Sequence, residues 1–331
     1  MASIKDVAKL AGVSTATVSR VLADKPHVRP EVKEQVRAAV ATLGYRPNRM
    51  ASNLRKQTSN VIGLLVSDIR NPFFTAVARA IEDEAHARQM NVFLCNTDED
   101  IEKERHYLNT LLAENVAGII LSPTQESVEA FQFLLDSDTP VVSIDRRIEG
   151  ANIDSVLSNN VQSAQLLTEH LLDKGYERIV AVLGLQNSTT GRERMLGYQQ
   201  ALQQRGVVLD PDISTYVQPR ENQGYEFVKA LLAQKAKPDA ILTGNSRLTV
   251  GAVKAIQEAG LRIPEDIALA GFDDTNWMPH LGPGITVIAQ PTHEMGKTAA
   301  ELLFMRMADE ERPSREVVLK GKLIVRKSTQ P

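Results

Sequence analysis

From Val61 onward the chain alternates short apolar runs with amphipathic stretches, and this alternation limits the possible folds more than any other feature. "NVIGLLVSD", "NVFLCNT", "VAGIILSP" and "TPVVSID" are runs of strand length that stop at polar loops, with helical patterns over residues 75–88 and 103–114 between them. A second set follows in "RIVAVLGL", "ISTYVQ", "DAILTGN" and "DIALAGFDD". Strand, polar loop and helix in repetition predict an α/β body of two doubly wound parallel sheets. The loop after the first strand of each set leads into a helix of similar pattern, a weak internal repeat. Sheets of this kind bind ligands beyond the carboxyl ends of their strands.

The 331 residues exceed one ordinary domain. The longest apolar runs fall far short of the roughly 20 residues of a membrane helix. A single cysteine, Cys95, excludes an internal disulfide framework and fits a reducing compartment. The opening "MASIKDVAKLAGVS" is charged and amphipathic, unlike a signal peptide, so a cytoplasmic protein is expected. Enzyme classes find little support: there is no P-loop, no GxGxxG and no Ser-His-Asp or metal-spaced set, and His27, His86, His106, His170, His280 and His293 are scattered. No cofactor and no metal site are expected.

The net charge of −3 conceals an asymmetry. Residues 1–60 hold eleven Lys/Arg against four Asp/Glu, whereas the remainder holds 27 basic and 37 acidic residues. A basic head on an acidic body predicts that the head meets a polyanion. Charge alone does not distinguish this from a solvated basic face; the helical pattern does. In "IKDVAKLAGVSTATVSRVL", Ile4, Val7, Ala8 and Ala11 form one helical stripe, Gly12 breaks it, and Ser14 is placed to cap a second helix, Thr15–Leu22. Val18, Val21 and Leu22 are expected in the core, leaving Thr15, Ala16, Ser19 and Arg20 outward. Small side chains let such a helix approach base edges, with Thr15 and Ala16 able to touch thymine methyls and Arg20 able to reach guanine O6/N7. A third helix follows Pro30, buries Val32, Val36, Val40 and Leu43, and ends at Gly44. In the polar connector beyond it, Asn48 can cap a short helix through Arg55, where Leu54 is either a minor-groove wedge or an ordinary helix contact.

These motifs, together with "LGYRPNRMASNLR", "GLLVSDIRNPFF", "PVVSIDRR" and "GFDD…ITVIAQP", resemble the lactose/galactose/purine repressor (LacI/GalR) family of bacterial transcription regulators, from Ile4 to "IVRKST". The resemblance implies an all-α helix-turn-helix head over 1–46, a hinge helix and linker over 47–60, and a two-lobed periplasmic-binding-protein-like body over 61–331. Lobe 1 is then about 61–157 and 288–320, and lobe 2 about 158–287 and 321–331, with the chain crossing near Ser158, Val287 and Gly321. The implied DNA-binding residues are Thr15, Ala16, Thr17, Ser19 and Arg20 in the head and Asn48, Arg49, Leu54 and Arg55 in the hinge. Ser52 departs from the Arg of many relatives. The implied partners are double-stranded operator DNA of pseudo-palindromic sequence, a second copy of the chain in a homodimer, and a small effector.

Effector positions predicted from the first lobe are Asp68, Asn71, Phe73, Phe74 and the run Asp145, Arg146, Arg147. From the second they are Ser158, Asn159, Arg194, Asn245, Ser246, Arg247, Asp273, Trp277 and Gln290. Phe73 and Phe74 serve a sugar face or core packing equally well on this reading. Trp277, alone in a loop, reads as a binding-site lid, and Arg247 as either a ligand donor or a surface arginine. Sugar-binding relatives commonly carry Asp where this chain has Ser158 and Ser246. Fewer carboxylates beside Arg146, Arg194 and Arg247 predict an anionic effector, a sugar acid such as gluconate, a ketogluconate or 2-keto-3-deoxygluconate, acting as inducer. The alternatives are a neutral sugar, a nucleoside or purine, a corepressor response and, more remotely, a cytosolic solute-binding protein without a DNA role.

Overall fold

The computed structural model describes residues 2–22, 28–45, 59–207 and 214–330, which form two compact units, residues 1–59 and 60–331. In the first unit α1 (Ile4–Leu10), α2 (Thr15–Leu22) and α3 (Pro30–Leu43) enclose a small core of Val7, Ala8, Val18, Val21, Val36 and Ala39. Each helix begins and stops for a local reason. Ser3 and Asp6 form a reciprocal capping box on α1, and Gly12 turns the chain at φ 63°. The Ser14 hydroxyl accepts the Thr17 N–H at 3.1 Å to open α2, Pro30 opens α3, and Gly44 closes it in the left-handed conformation. Leu22 departs from expectation. Val18 and Val21 already fill the core, and Leu22, in the last turn at the rim of their stripe, is 36% exposed.

The second unit holds two six-stranded sheets. The first runs β11-β5-β4-β3-β1-β2, with β1 Val61–Val66, β2 Asn91–Asn96, β3 Gly118–Leu121, β4 Val141–Ile144, β5 Asp154–Ser158 and β11 Glu316–Leu319, every pair parallel. The second runs β12-β10-β9-β8-β6-β7, with β6 Ile179–Leu183, β7 Thr215–Tyr216, β8 Ala240–Thr243, β9 Ala268–Phe272, β10 Thr286–Ala289 and β12 Lys322–Ile324. Its β10–β12 pair is antiparallel, so this sheet is not wholly parallel as expected. Alternation along the inner strands feeds a different core on each face. Val180 and Val182 enter one cluster, while Ile179, Ala181 and Leu183 enter the other. Burial on both faces is why the strands read as unbroken apolar runs.

Among the described residues of this unit, eight helices cover the sheets: α4 (Pro72–Ala87), α5 (Ile101–Ala113), α6 (Gln132–Leu135), α7 (Asn160–Asp173), α8 (Thr189–Gln204), α9 (Glu221–Leu232), α10 (Ser246–Glu258) and α11 (Thr292–Ala308). The chain passes between sheets three times: after β5 into α7, after β10 into α11, and from β11 to β12. The middle passage lies at Gln290 and Pro291 rather than Val287, because Val287, Ile288 and Ala289 still pair with β12. Hydrogen bonds tie the crossings together: Ser158 Oγ donates to Gln290 Oε1 at 2.7 Å and Gly321 N–H to Asn159 Oδ1 at 2.9 Å.

Candidate functional site

The carboxyl ends of β1, β4, β8 and β9 meet across a cleft between the lobes. Asp145 and Asp273 occupy equivalent places in the two sheets, each just past its strand. Both adopt left-handed backbone, φ 69° and 75°, and each donates its N–H to the neighbouring strand at 2.9 Å, to Val156 O and Ile288 O. Such backbone in a residue other than glycine is strained, and it turns both carboxylates into the cleft. Asn71 and Asn245 are likewise paired. Each caps a helix, Asn71 Oδ1 accepting Phe73 N–H at 3.1 Å for α4 and Asn245 Oδ1 accepting Leu248 N–H at 2.8 Å for α10.

Arg194 enters from the first turns of α8. Its helix starts close against the loop after β6: a Cβ on Gly191 would stand 2.0 Å from Leu185 O, so only glycine fits there. Arg194 Nε donates to Asn160 Oδ1 at 2.9 Å, its Nη1 donates to Gly244 O, and the guanidinium lies 4.1 Å over the Phe272 ring. Asp273 accepts from Gln290 Nε2 at 2.6 Å and from Ser246 N–H at 3.1 Å. Burial raises the Asp145 carboxyl to about 6 against the pull of Arg146 and Arg194, and burial also raises Asp273. Phe73 and Phe74, edge to face with centroids 5.0 Å apart, both belong to the lobe 1 core and both line the cleft, so the two readings of them hold together.

Asp68, Asn71, Phe73, Phe74, Arg146, Arg194, Asn245, Asp273 and Gln290 are thus brought together around one cavity of about 40 Å³. Asp145 joins them, whereas Arg147, Ser158, Asn159, Ser246, Arg247 and Trp277 do not line this cavity. Ser158 stands behind Gln290, which it orients. Arg247 reaches across to Asp68, Nη1 to Oδ2 3.7 Å, and beside it Ser246 Oγ stands 3.4 Å from Asn71 Oδ1, so both join the lobes. Trp277 packs on the lobe 2 core and borders an adjoining cavity of about 390 Å³. The loop after β2 contributes Glu99, which was missed; so were Leu185, Ser188 and Thr190 from the loop after β6 and the start of α8.

The expectation of a carboxylate-poor cleft with free guanidiniums is corrected. Asp68, Glu99, Asp145 and Asp273 line the cavity against Arg146 and Arg194. Arg146 is held by Glu99 through two bonds of 2.7 and 2.6 Å, and Arg147 turns away to Glu193 and Glu316.

Below the cleft, Glu104 is buried and accepts Thr124 N–H at 2.7 Å, and burial pushes its carboxyl up to about 7. A carboxyl whose folded pKa stands above its ordinary 4.5 stabilises the fold fully below that pH and loses this contribution as pH rises through about 7. Glu104→Gln keeps an acceptor for Thr124 and removes the titration. Its melting temperature should therefore fall less between pH 5 and pH 8 than that of the unsubstituted chain. Equal falls in thermal scans at the two pH values would refute this account.

In the head, Thr15, Ala16 and Arg20 are exposed on α2, while Thr17 and Ser19 are half-buried; the Thr17 hydroxyl is 2.9 Å from Ser14 Oγ and shares in the cap. Asn48, Arg49, Leu54 and Arg55 lie outside the described residues. Among the described residues no cluster could hold a metal ion, and no helix is long and apolar enough to cross a membrane.

A helix-turn-helix head joined to a two-lobed body with a polar interlobe cleft defines a ligand-responsive DNA-binding regulator. Comparison with known proteins agrees. Residues 3–48 match the model of bacterial regulatory proteins of the lacI family, and residues 168–329 match that of the periplasmic binding protein-like domain. The HTH-type transcriptional regulator KdgR of Bacillus subtilis (strain 168) is 36% identical over 98% of this chain and 97% of its own. The ribose operon repressor of Halalkalibacterium halodurans is 36% identical over 100% and 98%. The solved lac repressor dimer, bound to operator and an anti-inducer, superposes with a TM-score of 0.88 at 27% identity, covering 100% of this chain and 99% of that one. The chain belongs to the lacI family of bacterial regulatory proteins: it is a DNA-binding transcriptional regulator and not an enzyme.

Proposed function

We propose that this chain is a cytoplasmic, homodimeric repressor that reads a pseudo-palindromic operator through α2 and is relieved by a neutral monosaccharide in the interlobe cleft. The charge arrangement of the cleft carries the choice of effector. Four carboxylates face two guanidiniums, with Arg146 paired through both terminal nitrogens with Glu99. Acceptors and donors interleaved beside two phenylalanine rings suit a ring bearing hydroxyls, each of which both donates and accepts. A sugar acid would bring a further carboxylate into a formally acidic site. The likeness to a ribose operon repressor supports the same reading and suggests a pentose.

A cavity of about 40 Å³ has room for only a few waters, so a sugar enters by displacing the lobes or rearranging the side chains that line it. Any change in lobe angle that differs between operator-bound and free forms links the two ligands thermodynamically, by the same factor in each direction. Homodimer formation is supported by the lobe 1 edge: β2 exposes Phe93 (48%) and Leu94 (43%), beside Ile69 (42%). Apolar edge strands of this kind are normally covered, and a twofold axis would cover one with another.

Calorimetric titration with ribose, glucose and galactose, alongside ribonate, gluconate and 2-keto-3-deoxygluconate, tests the effector class. We expect a neutral sugar to bind tightest and to weaken operator retention in a gel-shift assay. Tighter binding of an acid, or a sugar that strengthens operator binding, would overturn the reading.

A further inference from the structure

Glu99 stands where no strand-end pattern had called for a residue, and its surroundings hold it firmly. It follows β2 in a turn whose two central residues, Asp98 and Glu99, both adopt left-handed backbone, φ 56° and 61°. That conformation is costly for residues other than glycine and persists where neighbours enforce it. Here they do: Asp98 bonds Lys103 at 2.6 Å, and Asp100 caps α5 by accepting Lys103 N–H at 2.9 Å. The turn delivers the Glu99 side chain, 4% exposed, against the equally buried Arg146.

The pairing takes one N–H from each terminal nitrogen. Arg146 Nη1 donates to Glu99 Oε2 at 2.7 Å and Nη2 to Oε1 at 2.6 Å, while Nη1 donates again to Pro123 O at 3.1 Å. Only Nε lacks a partner, and the nearest charge to it is Asp145 Oδ2 at 3.8 Å. Both members of the pair line the cleft. An arginine in a binding cleft would ordinarily present two parallel N–H groups to a carboxylate. Glu99 takes one N–H of each terminal nitrogen and neutralises the guanidinium, leaving one N–H each on Nε and Nη2, while the Glu99 carboxylate repels an incoming anion.

We propose that Glu99 is the charge-specificity residue of this cleft: by neutralising the guanidinium of Arg146 and adding its own carboxylate it disfavours sugar acids and leaves a site for neutral sugars. The inference rests on the cleft being the effector site described above and assigns the source of its preference. Glu99 does this indirectly, through the guanidinium it occupies, and through its own charge. Glu99→Gln keeps the shape, leaves one acceptor for the fork, removes the charge and frees Arg146 for an anion.

The test measures, by calorimetry at pH 7.5, the ratio of Kd for an aldonic acid to Kd for its parent sugar. The pairs are ribose with ribonate, glucose with gluconate and galactose with galactonate, and the pair whose sugar binds the unsubstituted chain best is used. We expect E99Q to lower the acid-to-sugar ratio by about tenfold or more. Should E99Q fail to give a cooperative circular-dichroism melt, E99D replaces it; one methylene shorter, it cannot span both nitrogens, and it should move the ratio the same way by less. A folded E99Q, or E99D in its place, with an unchanged ratio would refute the role of Glu99 while leaving the neutral effector standing. An unsubstituted chain that prefers the acid, or binds none of the three sugars, would refute the effector reading and this inference with it.

Discussion

Replacement of Arg194 by alanine should abolish the response to effector while leaving a head that still binds DNA. Arg194 is 5% exposed, bridges Asn160 and Gly244 O, stacks on Phe272, and lies within the field of both Asp145 and Asp273. Removing it deletes a donor to the ligand and leaves two buried carboxylates with less countercharge. Breaking a buried charge arrangement in this way costs about 3–5 kcal/mol. Effector affinity should fall at least about a hundredfold, since about 2.7 kcal/mol suffices for that. Arg194→Lys should recover part of the stability but little of the affinity, because an ammonium keeps the charge and loses the planar fork. Calorimetry with the tightest-binding sugar, paired with gel shifts in its presence and absence, reads both effects. An R194A chain that binds the sugar within about twofold of the original would remove Arg194 from the site.

The second large effect is expected at Arg20. It projects from the last turn of α2, where the pattern Thr15, Ala16, Arg20 leaves one exposed helical face free of bulky side chains. A bidentate contact with guanine is worth about 1–3 kcal/mol of discrimination, so Arg20→Ala should weaken specific binding roughly 5- to 150-fold. The loss should concentrate at one base pair of each half-site. Because the side chain is exposed, the melting temperature of the protein should hardly change. Gel shifts at two salt concentrations, with the operator and single-base variants of it, separate base reading from phosphate contact. A uniform loss across all sequences, with a shallower salt dependence, would reassign Arg20 to the DNA backbone.

Much of this fold was legible because its strands are buried on both faces. β1, β3, β4, β6, β8 and β9 stand out as apolar blocks, and the residues just beyond β1, β4 and β9 led directly to Asp68, Asp145 and Asp273. The edge strands were harder. "EVVL" of β11 and "KLI" of β12 are short and half exposed, so they carry no distinctive pattern. Among the site residues, Asn71 and Asn245 were legible from their place at strand ends, whereas the state of Arg146 was not. Its partner Glu99 lies 47 positions away on another strand end, and a long-range ion pair leaves no periodic trace in the sequence. That unseen pair is what moves the proposed effector from a sugar acid to a neutral sugar. Applying the strand-end rule to the loops after β2 and β6, as it was applied after β1 and β4, would have found Glu99, Leu185 and Ser188.

The three passages between the sheets also fix the order in which a growing chain acquires its parts. The core residues of α1, α2 and α3 are all made by residue 43. Neither sheet of the body can be completed until residues beyond 315 are translated, since lobe 1 waits for Glu316–Leu319 and lobe 2 for Lys322–Ile324. Lobe 1 begins first and is sealed only after nearly all of lobe 2 has left the ribosome. A nonsense or frameshift mutation between the end of α3 and Glu316 therefore leaves a whole reading head attached to two unfinished sheets. Lesions in the codons of β11 and β12 should be as damaging to regulation as lesions in the cleft itself.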